Sequence, residues 1–200
     1  MIHRLIRMML LPPALLLLTA VQAPAAADTP PADADSQEMI IRIERRLELE
    51  RHAMLLERIR QPDTRLNDFT TDGCSGGMSA GWQLLAAKIP GFRADYGEYP
   101  PWEACCETHD LAYHRGGKNA ADPLQSFTAR RRADLALRKC VIAVGRVESP
   151  LQSKKFGIGE DEILRLYTIA AELMFRAVRI GGMPCTGLPW RWGYGWPHCE

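Results

Sequence analysis

The stretch Cys105-Cys106-Glu107-Thr108-His109-Asp110-Leu111-Ala112-Tyr113 decides how the rest of this 200-residue chain is read. Nine residues hold two adjacent cysteines, two acids, a histidine and a tyrosine. Such a cluster suits a metal knot, a disulfide anchor or an active site, and the choice depends on the redox compartment. On a helix, Cys105 and His109 lie four apart and share a face, while Cys106, Asp110 and Tyr113 form the row beside it.

The N-terminus speaks to the compartment. Arg4 and Arg7 open a basic start, Met8 to Val21 is an apolar run, and Ala25-Ala26-Ala27 offers a cleavage site, so residues 1–27 read as an export signal. An uncleaved membrane anchor is the weaker alternative, because a span needs roughly 20 apolar residues and this run is shorter and carries Pro12 and Pro13. A secreted or periplasmic protein meets an oxidising environment, so six cysteines, all after residue 73, read as disulfides. Removing 1–27 takes away two arginines and moves the formal charge from +1 to −1. No global basic field points to nucleic acid.

Three regions follow from composition: the signal (1–27), a linker with an amphipathic helix (28–61), and a cysteine-bearing domain (62–200). Residues 28–36 are rich in Pro, Ala and Asp. From Gln37 to Arg60, Ile40, Ile43, Leu47, Met54 and Leu55 recur at helical spacing among charges of both signs. That helix packs on its own domain, on a partner, or on a membrane surface. Four more helices are expected, at Ser79–Ile89, Pro101–His114, Ser126–Val147 and Glu160–Ile180, with a Gly/Pro/Tyr-rich loop over 90–100. Strand signals are weak, so the fold class is mainly α. The tail from Gly181 to Glu200 carries three of the five tryptophans and two cysteines. Cys185 and Cys199 most simply close it on itself, and its aromatics serve either a core or a lipid interface.

Suppose the helices at 101–114 and 126–147 run antiparallel and Cys105 bonds Cys140. His109, four residues past Cys105, then meets Asp134, six residues before Cys140, and Tyr113 meets Asp134 from the other side. A carboxylate on one ring nitrogen fixes the tautomer and leaves the other nitrogen as a general base. No side-chain nucleophile stands beside this pair, so the base would act on water. Asp110, turned about 100° from His109 on the helix, can hold a cation there, and oxygen ligands suit Ca²⁺. The segment Thr70 to Trp82, TTDGCSGGMSAGW, supplies a glycine-rich loop with Asp72, and Cys74 can tie it to Cys106. Cys185 with Cys199 is then the remaining pair.

Together these residues resemble the secreted phospholipase A2 superfamily. The likeness lies in Cys105-Cys106-Glu107-Thr108-His109-Asp110, in Tyr113, and in Asp134 followed six residues later by Cys140. The loop from Thr71 to Ser75 is similar to the short calcium loop of bacterial and fungal members, and the likeness spans roughly Thr70 to Val144. It implies a disulfide-stapled fold with two antiparallel core helices and a calcium-binding loop. It also implies Ca²⁺-dependent hydrolysis of the sn-2 ester of glycerophospholipids at a membrane surface. In that scheme His109 is the base, Asp134 orients it, and Tyr113 supports Asp134. Asp110, Asp72 and the Gly73 carbonyl bind calcium, and a loop N–H from Gly73 or Gly76 helps the developing oxyanion. Ala112 stands where many animal members carry another cysteine, which removes a staple but no chemistry.

Other readings compete. Gly73-Cys74-Ser75-Gly76-Gly77 satisfies G-x-S-x-G, and Ser75, Asp134 and His198 follow the order of a serine hydrolase, but that elbow needs a buried strand before it and Leu66 to Asp72 is polar. Zinc held by Cys105, Cys106, His109 and Cys140 lacks a C-x₂-C knuckle. A phospholipase-like module that binds lipid or protein without turnover is the third. Arg130, Arg131 and Arg132 read as a solvated patch, and Trp82 and Trp102 as core.

Overall fold

The computed structural model describes residues 34–74 and 77–199, with backbone alone at 34–38, 40, 41 and 44. The expected signal (1–27), residues 28–33 of the linker, and Ser75 and Gly76 of the loop lie outside the described residues. Six helices run in order: α1 Ala34–Arg60, α2 Met78–Lys88, α3 Phe92–Tyr96, α4 Glu103–Arg115, α5 Pro123–Phe156 and α6 Glu160–Gly181. No strand occurs among the described residues, and none of their helices is long and apolar enough to cross a membrane.

Helix ends follow from capping chemistry. α5 begins at Pro123, three residues before the expected Ser126, because the Asp122 carboxylate accepts the Gln125 N–H at 2.8 Å and Pro123 occupies the first turn, where its missing N–H is not needed. It also continues past the expected stop at Val147, carries Pro150 inside it, and ends only where Gly157 turns left-handed at φ 69°. α1 likewise begins earlier than expected, inside the Pro/Ala/Asp-rich segment. The loop over 90–100 contains the short α3.

α5 and α6 form a long antiparallel hairpin. At Gly145 a Cβ would lie 2.6 Å from the Cβ of Tyr167, so only glycine lets the helices approach this closely. Leu137 and Val141 of α5 pack with Ile163, Tyr167, Ala171 and Met174 of α6 and with Cys74, Cys105 and Cys106. Burial of each large aliphatic side chain in this layer contributes roughly 1.5–3 kcal/mol. The six cysteines pair as Cys74–Cys106, Cys105–Cys140 and Cys185–Cys199, with none free. α4 is thereby stapled to the loop on one side and to α5 on the other. Three of the zinc candidates are therefore disulfide-bonded rather than thiolates.

A second core joins Leu55 of α1, Tyr113 of α4, and Trp192 and Trp196 of the tail. The tail is tied to the end of α4: the Gly193 N–H donates to the Tyr113 carbonyl at 2.7 Å and the Gly195 N–H to that of His114 at 3.2 Å. A Cβ on Gly116 would come within 2.4 Å of the Gly193 Cα, which explains glycine at this crossing. Trp192 and Trp196 are therefore core. Trp82 and Trp102, expected in the core, are half-buried: Trp102 packs against the first core and Trp82 meets Trp102 edge to face.

The face α1 buries matches the expected one only at Leu55: Ile43, Leu47 and Met54 are exposed, Glu48, His52 and Leu56 point inward beside Leu55, and the Ile40 side chain lies outside the described residues. Glu48 turns inward because Arg130 of α5 and Arg179 of α6 bond its carboxylate, and His52 because its ring meets Ser126 and Glu48.

Candidate active site

α4 and α5 present their functional side chains across the Cys105–Cys140 staple. His109 Nε2 lies 3.0 Å from Asp134 Oδ1, and the Tyr113 hydroxyl donates to the same oxygen at 2.7 Å. With Nε2–H donating to the carboxylate, the neutral ring keeps its lone pair on Nδ1. That nitrogen faces Asp110, whose Oδ1 stands 3.9 Å away, beyond hydrogen-bond reach, so Asp110 acts on the ring through its charge. Burial opposes a charge on His109, but Asp110 and Asp134 together outweigh it and hold its pKa above the ordinary 6.5.

Asp134 is fully buried. Burial alone would raise its pKa; hydrogen bonds from His109, Arg179 and Tyr113 and the charge of Arg130 reverse this and keep it ionised. Tyr113 is pushed far the other way, first by burial, so its hydroxyl stays protonated and remains a donor. Arg179 Nη1 donates to Asp134 Oδ2 at 2.9 Å and Nη2 to Glu48 Oε2 at 2.7 Å. Arg130 Nη1 donates to the other Glu48 oxygen, and Arg130 Nε to the Tyr113 hydroxyl at 3.1 Å. Its Nη2 caps α6 by donating to the carbonyls of Val178 and Arg179 at 2.7 and 2.9 Å.

Arg130 is thus corrected from solvated patch to core: it is fully buried, whereas Arg131 and Arg132 are exposed as expected. One residue of the triplet turns inward because each helical step rotates it by about 100°. Glu48, His52 and Arg179 were not anticipated either.

Beside this charged cluster lies a cavity of about 350 Å³, lined by Thr70, Thr71, Asp72, Asp110, Trp190 and Tyr194 among others. His109 is only 7 % exposed and meets this cavity through Asp110. Thr71 Oγ1 donates to Asp110 Oδ2 at 2.6 Å and accepts the Gly73 N–H at 3.0 Å. The Tyr194 hydroxyl donates to the Thr70 carbonyl at 2.6 Å. Burial, then the charges of Asp110 and Asp72, raise the Tyr194 pKa, a sign that both carboxylates act on one small space. The loop is pinned below by the Cys74 N–H to Ser79 Oγ, 2.8 Å, and by Ser79 Oγ to Glu103 Oε2, 2.6 Å. Gly73 has φ 74°, and a Cβ there would meet Glu103 Oε1 at 1.9 Å.

The cavity therefore gathers Asp72, Asp110 and hydroxyl or carbonyl oxygens, a donor set that fits a hard cation. Among the described residues no group of three or more His, Cys, Asp or Glu gathers for a metal, so further donors would have to be backbone carbonyls or water. The Gly73 N–H is engaged by Thr71, which weakens the expectation that it meets an oxyanion, and Gly76 lies outside the described residues. So does Ser75; Leu66 to Gly73 forms no strand, and His198 is exposed. A larger groove of about 860 Å³, with Arg115, Lys118 and Arg132 on its walls, touches none of His109, Asp110 and Asp134. No family model, curated protein or solved structure matches the chain.

Proposed function

We propose that this chain is an exported, calcium-dependent phospholipase of the A2 type, hydrolysing the sn-2 ester of glycerophospholipids at a membrane surface. The observation that carries the reading is the division of the His109 ring: Nε2 bonded to buried Asp134, Nδ1 turned to Asp110 beside a cavity that also holds Asp72.

In this reading His109 Nδ1 removes a proton from water, and Asp134 stabilises the imidazolium. The water oxygen attacks the ester carbonyl and forms a tetrahedral intermediate. Its collapse breaks the bond to the glycerol oxygen, which takes the proton back from Nδ1, so fatty acid and lysophospholipid leave with the base restored. Asp72, Asp110 and the Gly73 carbonyl would hold the calcium, which when bound supplies positive charge to polarise the ester carbonyl. Tyr113, protonated and hydrogen-bonded, holds Asp134 in place.

The outer face of α6 supports a lipid surface as partner. Leu166, Ile169, Leu173 and Ile180 are exposed at helical spacing, and the stripe ends beside Gly181, where Trp190 of the cavity packs. α1 adds exposed Met39, Ile43 and Leu47, so a partner on that helix stays within the proposal. A second reading, a lipid-binding module without turnover, draws on the slight exposure of His109.

The test uses vesicles of a phospholipid with different acyl chains at sn-1 and sn-2. Release of the sn-2 acid in Ca²⁺, and none in chelator, is expected. Binding without release would favour the module; release unchanged in chelator would favour Ser75.

A further inference from the structure

The charges around Asp134 form a closed set that the dyad chemistry does not need in itself. Asp134 and Glu48 bring two carboxylates; Arg130 and Arg179 bring two guanidiniums; all four are buried or nearly so, Arg179 being the most open at 21 %. Three helices contribute: α1 gives Glu48, α5 gives Arg130 and Asp134, and α6 gives Arg179. Arg130 is anchored independently by the α6 carbonyls and by Tyr113. Arg179 instead spans from Asp134 Oδ2 to Glu48 Oε2, with its guanidinium 5.7 Å from the centre of the Phe127 ring.

The two oxygens of Asp134 are used differently. Oδ1 takes both Tyr113 and His109, the bond that sets the ring. Oδ2 takes Arg179. A carboxylate held on one oxygen alone can swing about its Cβ–Cγ bond; held on both, its plane is fixed, and with it the line along which Nε2–H must point. Glu48 matters because it accepts from both arginines and keeps the Arg179 fork facing Asp134. Behind Glu48, His52 Nε2 lies 3.4 Å from Oε1, and His52 Nδ1 lies 2.8 Å from Ser126 Oγ, which also accepts Trp192 Nε1–H at 3.1 Å. The chain of contacts leads from the dyad into α1 and the tail.

We propose that Arg179, steadied by Glu48 of α1, is a positioning residue for His109, acting by clamping the second oxygen of Asp134. The inference rests on the hydrolase reading for its kinetic consequence and on geometry alone for its spectroscopic one. It gives α1, which lies outside the stretch that resembles phospholipases, a part in catalysis. It also explains why a polar face of that helix is buried.

The experiment compares wild type with Arg179→Gln, Arg179→Lys and Glu48→Gln in the full chain. Two readouts are taken: steady-state hydrolysis of phospholipid vesicles in Ca²⁺, and the downfield proton signal of His109 Nε2–H, assigned by its absence in His109→Gln. A misplaced catalytic group costs about 10–10²-fold in rate, so kcat of Arg179→Gln should fall by that factor with KM within about twofold. Its Nε2–H signal should broaden or vanish through faster exchange with water. Arg179→Lys, which keeps a charge that reaches Oδ2 but not the fork, should restore most of both. Glu48→Gln should shift both readouts in the same direction, by less, and stands in for Arg179→Gln if that variant does not fold. A sharp wild-type-like proton signal in the folded variants overturns the clamp whether or not the protein hydrolyses lipid. Unchanged kcat in those variants, alongside loss of activity in His109→Gln, overturns it while leaving the hydrolase reading intact. An inactive wild type whose proton signal still depends on Arg179 keeps the clamp and removes the hydrolase.

Discussion

The two edges of the His109 ring lie in unlike surroundings. On the Nε2 side the protein supplies every counter-charge itself: buried Asp134, Glu48 and Arg130 interlock with partly exposed Arg179. On the Nδ1 side Asp110 and Asp72 border a cavity whose other walls are threonine, tyrosine, proline and tryptophan. One edge is over-determined and the other is open to a guest. The difference teaches how one helix can serve two purposes: residues four apart on α4 are fixed by packing, while their neighbours one step around the helix face a loop held by a few hydrogen bonds and one disulfide.

The sharpest way to break that contrast is to attack the closed side through Arg130. Removing one partner of a buried ion pair typically costs about 3–5 kcal/mol, so Arg130→Ala should lose stability of this order, measured by urea denaturation with the disulfides intact. Arg131→Ala, one residue on and exposed, should stay within about 0.5 kcal/mol of wild type. Equal effects at the two positions would erase the distinction between core and patch.

The open side is tested by Asp110→Asn. Calcium affinity tracks ligand charge, so calorimetry should find binding weakened by about tenfold or more, with turnover falling in step and helix content unchanged. Undiminished Ca²⁺ binding would place the ion elsewhere and leave the cavity without its guest.

A smaller effect sharpens the comparison through pH. Burial lowers the His52 pKa, Arg130 and Arg179 push the same way, and Glu48 only partly opposes them. The unfolded chain therefore binds that proton more readily, so the His52 contribution is complete above about 6.5 and declines as pH falls through the lower folded value. For His109 the sign is opposite: its raised pKa favours the folded state below about 6.5 and loses that advantage as pH rises through the folded value. The two act on opposite sides of about 6.5, so in the wild type both contributions are present near that pH. In His109→Gln, the urea midpoint should drop between pH of about 7.5 and about 5.5 in chelator, and in His52→Gln that drop should shrink or reverse. The same slope in both variants would mean that neither ring titrates as its surroundings require.

Much of the closed side could be read from sequence because helical periodicity is rigid. Once Cys105 faces Cys140, the positions of His109, Tyr113 and Asp134 follow within a turn, and the three disulfides came out as spacing suggested. Arg130 was misread as solvated: it stands four residues before Asp134 and so on its face, but arginine triplets default to solvent and its partner Glu48 lay on an unexpected helix face. Glu48 and Arg179 were not legible. No cysteine sets the register of α1 or α6 against α5, and charges in an amphipathic pattern give no sign of which will be drawn inward. The α5 start had a signal in Asp122-Pro123, a cap followed by a first-turn proline. In the loop, Asp72 could be placed near Asp110 by the Cys74–Cys106 bridge, yet the use of the Gly73 N–H by Thr71 depends on local hydrogen bonding that composition does not encode.

The most direct test of the central claim is the initial rate of His109→Gln on phospholipid vesicles in saturating Ca²⁺. Glutamine keeps a polar side chain on the same face of α4 but cannot take a proton from water. General-base catalysis is worth about 10²–10⁴ in rate, and the loss should be at least that large, in a variant that remains folded and binds Ca²⁺ as wild type does. Wild-type hydrolysis by such a variant would contradict His109 as the base.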